Sequence, residues 1–393
     1  MAEVAYDRAS RIYTPGAKPA VNQLNLKRAI PGHSLVLRIC DDTGDNARAA
    51  TEAQELLGEG AVALVTTGSS QTISIAGVAV PAGAALMSIS ATSTQIPSAG
   101  VLADGGAKRV WSTAVSDSEQ ARVLAALMLD GGAVGGGAAP FAHPACIHQD
   151  DIAFNGLYQS TNAALVAATD AGVFMPQFLY EPGASPATAV AQAQSAAIAP
   201  DAVLLISPVG DTAALVGAWT GADPVWLFTD NARSVSVYDF DGGLARLTGA
   251  QGTGPSTPSV QRDPEYGDFV ALYSQTFASE DPTSVSYVPN AYDAVLLLGA
   301  GAAWAQSSGA AITGASIAQG LTQLSEAGAA TTPLTADNFT SLQAAFAQGH
   351  TVNVTGASGE LDFDPATGVA PGPIDVWTIA PDGGIVTLRT VTP

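Results

Sequence analysis

Residues 62–95 decide the fold, and they read VALVTTGSSQTISIAGVAVPAGAALMSISATSTQ. Two short apolar runs, residues 62–65 and 85–87, are each followed by small hydroxyl residues, within Thr66–Thr72 and Ser88–Thr94. This order predicts a strand, a polar turn, a helix, a second strand and a second polar turn. Small hydroxyls and free backbone N–H groups at the carboxyl ends of adjacent parallel strands, beside a helix N-terminus, favour an anion such as a carboxylate.

The same alternation of strand and helix patterns extends in both directions along the chain of 393 residues. Upstream, Leu35–Cys40 predicts a strand and Asp45–Leu57 a helix, and downstream the alternation continues to the strand Val225–Phe228. The strand-like pieces Ile374–Ile379 and Ile385–Arg389, separated by a Pro-Asp-Gly-Gly turn, predict an antiparallel ending. The fold class is therefore α/β, with parallel sheets covered by helices, and the length suits two domains.

Composition and charge exclude several classes of function. The chain has 14 basic and 35 acidic residues and a formal net charge of −21, which repels nucleic-acid phosphates and anionic lipid. No apolar stretch approaches the length that spans a bilayer. The opening Met1-Ala2-Glu3 lacks a basic region followed by an apolar one, so we expect an exported form of the protein to have lost its signal peptide.

Metal and catalytic sites are not indicated. The acidic residues Asp41, Asp42 and Asp45 could attract a hard cation, but their spacing does not match a calcium loop, and Asp45 is placed to cap the following helix. The four histidines are scattered, and Gly356–Glu360 does not form a nucleophile elbow. The sequence predicts no metal, no cofactor and no catalytic residue.

Short motifs follow one another in a specific order from about residue 20 to the C-terminus. They are Asp41–Asp45, Gly68–Ser70, Ser90–Thr92, Trp111–Asp117, Asp150–Phe154, Pro200–Val203, Thr229–Asn231, Ala291–Ala294 and Gly356–Phe363. In this order the chain resembles the substrate-binding proteins of branched-chain amino-acid ABC transporters, which have the type I periplasmic-binding-protein fold. Each motif alone is weak, and the shared order carries the resemblance.

The resemblance implies two doubly wound parallel-sheet lobes joined by a three-crossing hinge. One lobe would comprise residues 1–116 and 250–351, the other residues 117–249 and 352–393, with the ligand in the cleft between them. It further implies a monomeric receptor in the periplasm or at the outer face of the cell membrane. Such a receptor closes around an amino acid or similar small carboxylate and delivers it to the membrane subunits of an ABC transporter.

The resemblance also assigns ligand contacts in the first lobe. Ser69 and Thr92 would hold the ligand carboxylate through hydroxyl and backbone N–H groups, with Ser70 and Ala91 as adjoining ligand-binding positions. The backbone carbonyl of Ser90 would accept a hydrogen bond from the ligand ammonium. Without the resemblance, Ser69, Ser70 and Thr92 would more often be helix caps and turn formers than ligand contacts.

In the second lobe the resemblance places Asp230 against the ligand ammonium, because a buried ammonium needs an acidic partner. Asp230 could equally cap a turn with Asn231. Phe154 stands where the family usually has a tyrosine, and Tyr287 falls at an aromatic position of the side-chain pocket. The missing hydroxyl at Phe154 removes one hydrogen bond that a ligand could otherwise make.

The N-terminus departs from the family pattern. The family begins with an apolar central strand and a Gly-rich loop that reaches the cleft, whereas Ala2–Tyr6 is short and charged. Tyr13–Gly16 is the candidate remnant of that loop. Either the chain starts late or this branch has rebuilt the strand.

Two other classes of function remain open. The first is a sensory or regulatory module of the same fold, which a membrane helix and a signalling domain in the full-length gene would favour. The second is a hydrolase that uses Asp230 or a hydroxyl from Ser69–Thr72, although no base adjoins a nucleophile in sequence.

Overall fold

The computed structural model describes residues 10–96, 108–132, 139–169, 173–277, 282, 287–325 and 330–392. The chain forms two compact units. Unit 1 comprises residues 1–116 and 257–372, and unit 2 comprises residues 117–256 and 373–393. The chain passes from one unit to the other after Ser116, Ser256 and Gly372.

The helices of the described residues run in chain order from α1 to α12. They are α1 Ser10–Leu26, α2 Asn46–Gly58, α3 Ser69–Ala79, α4 Asp117–Leu129, α5 Ile152–Ala167, α6 Ala187–Gln194, α7 Val209–Ala218, α8 Gly243–Leu247, α9 Pro264–Thr276, α10 Val288–Ser307, α11 Gly314–Leu321 and α12 Phe339–Ala347. Short 3₁₀ turns cover Asp230–Ala232, Val235–Tyr238 and Ala336–Asn338.

The strands alternate with these helices over most of the chain. They are β1 Ala63–Thr66, β2 Ala85–Ser88, β3 Val110–Ser112, β4 Pro144–Gln149, β5 Gln177–Tyr180, β6 Ala202–Ile206, β7 Val225–Phe228, β8 Gln251–Pro255, β9 Thr331–Pro333, β10 Asn353–Gly356, β11 Gly359–Glu360, β12 Ile374–Ile379 and β13 Ile385–Val391.

Parallel sheets organise both units. Unit 1 has a three-stranded parallel sheet of order β1-β2-β3 and a three-stranded mixed sheet of order β11-β10-β9, in which β10 pairs with β11 antiparallel. Unit 2 has a seven-stranded sheet of order β13-β12-β8-β7-β6-β4-β5, in which β12 and β13 are the antiparallel strands. The predicted α/β class and the antiparallel ending are confirmed.

The second and third crossings lie later than the expected boundaries at residues 250 and 352. Strand β8 pairs with β7 and β12, so residues 251–255 belong to the sheet of unit 2. Strand β10 pairs with β9 and β11, so residues 353–360 belong to unit 1. Hydrogen-bonded pairing between strands thus fixes both boundaries.

Helix α10 forms the centre of the core of unit 1, and most of its residues are buried. Gly301 lets α11 approach closely, because a Cβ atom at this position would lie 2.6 Å from the Ile317 carbonyl oxygen. Gly299 similarly admits Leu24 of α1. The glycines at 299 and 301 thus serve helix packing inside the buried part of α10.

Three local predictions are wrong. Tyr13–Gly16 lies inside α1 and is not a loop. Gly16 allows α1 to pack closely against α10, because a Cβ atom added at this position would lie 2.3 Å from the Val288 carbonyl oxygen. Residues 33–40 are not assigned to a strand, although Leu35 and Leu37 pack against the core of unit 1. Helix α3 begins at Ser69, inside the run Thr66–Thr72 that was predicted to be a polar turn. The segment Ala2–Tyr6 lies outside the described residues.

Within the described part of the chain, no helix is both long enough and apolar enough to cross a membrane.

Candidate functional site

The ends of β1, β2 and β3 lie side by side, because Thr66 pairs with Ser88 and Ser88 with Ser112. Hydroxyl groups tie the following loop to these ends. The Ser88 hydroxyl oxygen accepts the Ala91 N–H at 2.9 Å, and the Ser112 hydroxyl donates to the Ala91 carbonyl at 2.8 Å. The backbone of Ala91 is therefore occupied within the loop, and this residue positions its neighbours.

Gly68 makes the turn from β1 into α3. It has a φ of +63°, which glycine adopts without the strain of other residues, and its N–H donates to the Ser90 hydroxyl oxygen at 2.9 Å. The loop after β2 is thereby joined to the start of α3. Within the described residues, no donor to the carbonyl oxygen of Ser90 is found.

Ser69 is the first residue of α3 and is 7% exposed. Its hydroxyl oxygen accepts the backbone N–H groups of Thr92 at 3.3 Å and Ser93 at 3.2 Å. A serine hydroxyl has two acceptor lone pairs and one donor hydrogen. Both lone pairs are engaged, so the hydrogen remains to donate, and among the described residues no acceptor for it is found. Ser70 lies buried in the same first turn.

Tyr287 lies at the same end of the sheet of unit 1. It precedes α10 with a φ of +66°, a conformation that is uncommon for tyrosine, and it is partly buried. The Asn290 side-chain amide, one turn into α10, donates to the Thr113 carbonyl just beyond β3 at 2.8 Å. This hydrogen bond fixes the start of α10 at the carboxyl end of β3.

In unit 2, Phe154 lies in the first turn of α5, directly after β4, and is partly buried. Asp151 caps this helix, because its carboxylate accepts the Ala153 N–H at 2.8 Å. Asp150 accepts the Asn155 side-chain amide at 2.8 Å. The two acids end the strand and begin the helix.

Asp230 begins the 3₁₀ turn that directly follows β7 and is partly buried. Gly254 of the neighbouring strand β8 allows this position, because a Cβ atom there would lie 2.9 Å from the Asp230 Cβ. The buried Gln120 side chain of α4 donates to Asp230 Oδ1 at 3.2 Å. Sequence reasoning missed both Gln120 and Gly254.

An ion pair anchors the turn that carries Asp230. The Arg233 guanidinium contacts Asp375 Oδ2 of β12 at 3.2 Å and donates to the Pro255 carbonyl oxygen at 3.3 Å. Asp375 is buried and also accepts the Thr390 hydroxyl at 2.7 Å. The turn is therefore fastened to β8 and β12 just beyond the acid.

Asp293, in one of the motifs, has a structural role in unit 1. Its carboxylate is 0% exposed and accepts the Ala357 N–H at 2.9 Å and the Ser358 N–H and hydroxyl at 2.6 Å each. Burial raises the pKa of Asp293 to about 6, while these hydrogen bonds oppose the shift. A Cβ atom at Gly356 would lie 2.4 Å from this carboxylate, so glycine permits the contact.

The acidic residues before α2 also serve the backbone. Asp45 caps α2 by accepting the Arg48 N–H at 2.8 Å, and Asp41 and Asp42 accept N–H groups within the preceding turn. The structural interpretation of Asp45 is confirmed. No group of three or more His, Cys, Asp or Glu side chains in the described residues could hold a metal ion.

The sequence pattern of the family described as periplasmic binding protein matches residues 8–376. The chain belongs to this family. Membership confirms the expectation of a binding protein instead of an enzyme, and it implies a location outside the cytoplasm. No curated protein matches the chain by sequence.

Solved structures show the same fold at low sequence identity. A branched-chain amino acid transporter substrate binding protein from Streptococcus pneumoniae, in complex with isoleucine, is 16% identical, with 100% of both chains covered and a TM-score of 0.71. A leucine binding protein from Thermotoga maritima is 17% identical, with 100% of this chain and 99% of that chain covered and a TM-score of 0.74. An ABC transporter solute binding protein from R. palustris, in complex with 4-hydroxybenzoate, is 14% identical, with 100% and 96% covered and a TM-score of 0.69.

The predicted site residues therefore form two groups, one in each unit. In unit 1, hydrogen bonds join Ser69 to Thr92 and Ser90 to Gly68, and Ser70, Ala91 and Tyr287 lie at the same end of the sheet. In unit 2, Phe154 and Asp230 follow the parallel strands β4 and β7. Their contacts with a ligand stay predictions.

Proposed function

We propose that the protein is an extracytoplasmic receptor that binds an α-amino acid, or a similar small carboxylate, and delivers it to the membrane subunits of an ABC transporter. Family membership supports the receptor class. The observation that carries the ligand class is the Ser69 hydroxyl, which retains a donor hydrogen at the N-terminus of α3. In this proposal the protein acts as a monomer.

The carboxylate would be held by unit 1. The N-terminus of α3 supplies backbone N–H groups without partners inside the helix, and its dipole favours negative charge. Ser69 donates its hydroxyl hydrogen, and Thr92 donates through its side chain, because the Thr92 N–H already donates to Ser69. Charge-assisted hydrogen bonds of this kind are stronger than neutral ones.

The ammonium would be held by two acceptors, the Ser90 carbonyl in unit 1 and the Asp230 carboxylate in unit 2. Asp230 supplies the negative charge that a desolvated ammonium requires. Phe154 and Tyr287 would contact the ligand side chain. The isoleucine complex from Streptococcus pneumoniae supports an aliphatic amino acid, while the 4-hydroxybenzoate complex from R. palustris shows that the fold also accepts an acid without an amine.

A thermal-shift screen tests this function, because a ligand of the folded state raises the melting temperature by mass action. L-leucine would be compared with 4-methylpentanoate, which lacks the amine, and with 3-methylbutylamine, which lacks the carboxylate. Parallel sets would cover the other amino acids and aromatic acids. We expect the largest shift with an α-amino acid and no shift with the amines. Shifts with acids alone would remove Asp230 from its role, and no shift with any acid would overturn the proposal.

Thr92 provides a test of the carboxylate contacts. Thr92→Val removes the hydroxyl but keeps the shape and the backbone N–H, so we expect affinity for the amino acid to fall about tenfold while the unfolding midpoint changes little. Isothermal titration calorimetry and urea unfolding measure the two quantities.

Ser69→Ala is the matched comparison. It also deprives two loop N–H groups of their acceptor, so it should lower both affinity and stability, the latter by about 1–3 kcal/mol. Unchanged affinity in both variants would remove this end of the sheet from ligand binding.

A further inference from the structure

A buried polar cluster lies beside Asp230, entirely within unit 2. Gln120, in the first turn of α4, is 1% exposed, and its amide nitrogen lies 3.2 Å from Asp230 Oδ1, 3.1 Å from the Thr253 carbonyl oxygen and 3.2 Å from the Thr253 hydroxyl oxygen. Thr253 is buried in the middle of β8. Three elements of the unit, α4, β8 and the turn after β7, therefore meet at one side chain.

The orientation of the Gln120 amide follows from its partners. A backbone carbonyl and a carboxylate only accept hydrogen bonds, so the nitrogen of the amide, and not its oxygen, must face them. The Thr253 carbonyl belongs to a paired strand and cannot move independently. It holds the amide in place, and the amide in turn holds Asp230 Oδ1.

The contact orients the Asp230 carboxylate without cancelling its charge, because Gln120 is neutral. A carboxylate has about four lone-pair positions, and Gln120 takes one of them. The main chain of Asp230 packs closely against Gly254, since a Cβ atom at Gly254 would lie 3.2 Å from the Asp230 Cα. Gln120 and Gly254 thus both restrict the direction of the Asp230 side chain.

We propose that Gln120 is a positioning residue that makes the receptor prefer an ammonium-bearing ligand over the same acid without an amine, by fixing the Asp230 carboxylate. This inference rests on the proposed function and explains how the receptor would select among its ligands. Pre-organisation of this kind strengthens binding because the side-chain freedom is lost on folding and not on binding. Gln120 itself makes no contact with the ligand in this proposal.

The test measures the affinities for L-leucine and 4-methylpentanoate by isothermal titration calorimetry. Alanine with propionate and phenylalanine with 3-phenylpropionate serve as further probe pairs. Gln120→Met keeps the length of the side chain and removes its hydrogen bonds. We expect it to lower affinity for the amino acid about tenfold and to leave affinity for the deaminated acid within about twofold. The ratio of the two affinities is the readout, since a merely structural disturbance lowers both.

Two further variants separate positioning from general damage. In the Asp230→Ala background, Gln120→Met should cause no additional change in the affinity ratio, because a residue that acts through Asp230 has nothing left to orient. Thr253→Val keeps the Gln120 contacts with Asp230 and with the Thr253 carbonyl, so it should retain most of the preference even if stability falls.

The outcomes distinguish this inference from the function on which it rests. If the unaltered protein prefers the amino acid and Gln120→Met keeps that preference, the role of Gln120 is overturned and the receptor stands. An equal loss for both ligands, or the same loss with and without Asp230, also overturns it. If the unaltered protein binds the deaminated acids as tightly as the amino acids, the role of Gln120 is overturned and a receptor for small carboxylates stands, whereas binding of no acid in the thermal-shift screen overturns both proposals.

Discussion

Asp230→Ala lowers the affinity for an α-amino acid by about 30-fold or more, while affinity for the corresponding acid without an amine changes by less than about threefold. The expected loss follows from leaving a desolvated ammonium without its charge partner, which typically costs about 2–5 kcal/mol. Isothermal titration calorimetry with L-leucine and 4-methylpentanoate measures both values. This is the largest effect on binding that we expect from a single substitution.

Asp241→Ala is the matched control for this experiment. It removes the same charge from unit 2 at an exposed position, so any general electrostatic contribution to binding appears there too. The fold should survive Asp230→Ala, because the Gln120 amide keeps both of its contacts with Thr253. Equal losses of affinity for both ligands would remove Asp230 from contact with the ammonium.

Asp293 makes the stability of the protein depend on pH. Its folded-state pKa of about 6 lies above the ordinary value of 3.8, because complete burial disfavours the charged form more than its hydrogen bonds favour it. The folded state therefore binds this proton more tightly than the unfolded state does. The resulting stabilisation is complete below the ordinary pKa and is lost as the pH rises through about 6.

The expected size of this loss is about 2 kcal/mol between pH 4 and pH 7. Urea unfolding of the unaltered protein and of Asp293→Asn across this range isolates it, since the contributions of other groups largely cancel in the difference. Asparagine has one acceptor oxygen where three donors converge, so the variant should be less stable than the unaltered protein at every pH. The difference in unfolding free energy should shrink as the pH rises, because only the unaltered protein loses the stabilisation from the Asp293 proton.

Two further variants check the assignment to Asp293. Ser358→Ala removes a hydrogen bond that lowers the pKa of Asp293, and Glu265→Gln removes a nearby charge that raises it. The pH at which half of the stabilisation by protonated Asp293 is lost should move upward in Ser358→Ala and downward in Glu265→Gln. A deficit of Asp293→Asn that is constant with pH would contradict the prediction.

The sequence predicted the elements whose patterns are local. Strand β7 has the expected bounds Val225–Phe228, and β12 the expected Ile374–Ile379, because short segments rich in apolar and β-branched residues and bounded by turn residues are typical of strands. Helix α2 begins one residue after Asp45, as a side-chain cap requires. The candidate residues that follow β1, β2 and β7 could be found for the same reason.

Residues that act through distant neighbours could not be found in this way. Gln120 lies 110 residues before Asp230 in the chain, and nothing in its local pattern separates it from an ordinary helix residue. Asp293 meets Ala357 and Ser358 across separations of 64 and 65 residues. Each of these pairings is fixed by the packing of a helix against a strand or turn, and a single sequence carries no trace of such packing.

The N-terminal errors have a different cause. Leu35–Cys40 is an apolar run typical of a strand, but a strand is defined by its pairing, and an apolar run alone cannot supply a partner. Tyr13–Gly16 looked like a loop because it contains proline and glycine. In the structure Gly16 serves close contact between helices α1 and α10, so tertiary packing outweighs the local signal there.

Strand β8 carries a consequence for how this protein responds to alanine scanning. Such a scan normally deletes atoms, but at Gly252 and Gly254 it would add one, 2.2 Å from the Trp377 ring in the first case and 2.9 Å from the Asp230 Cβ in the second. The most sensitive positions of the sheet would thus be those with the smallest side chains. A map of tolerance to substitution would show β8 as a line of intolerant sites whose cause lies in the residues that pack over them.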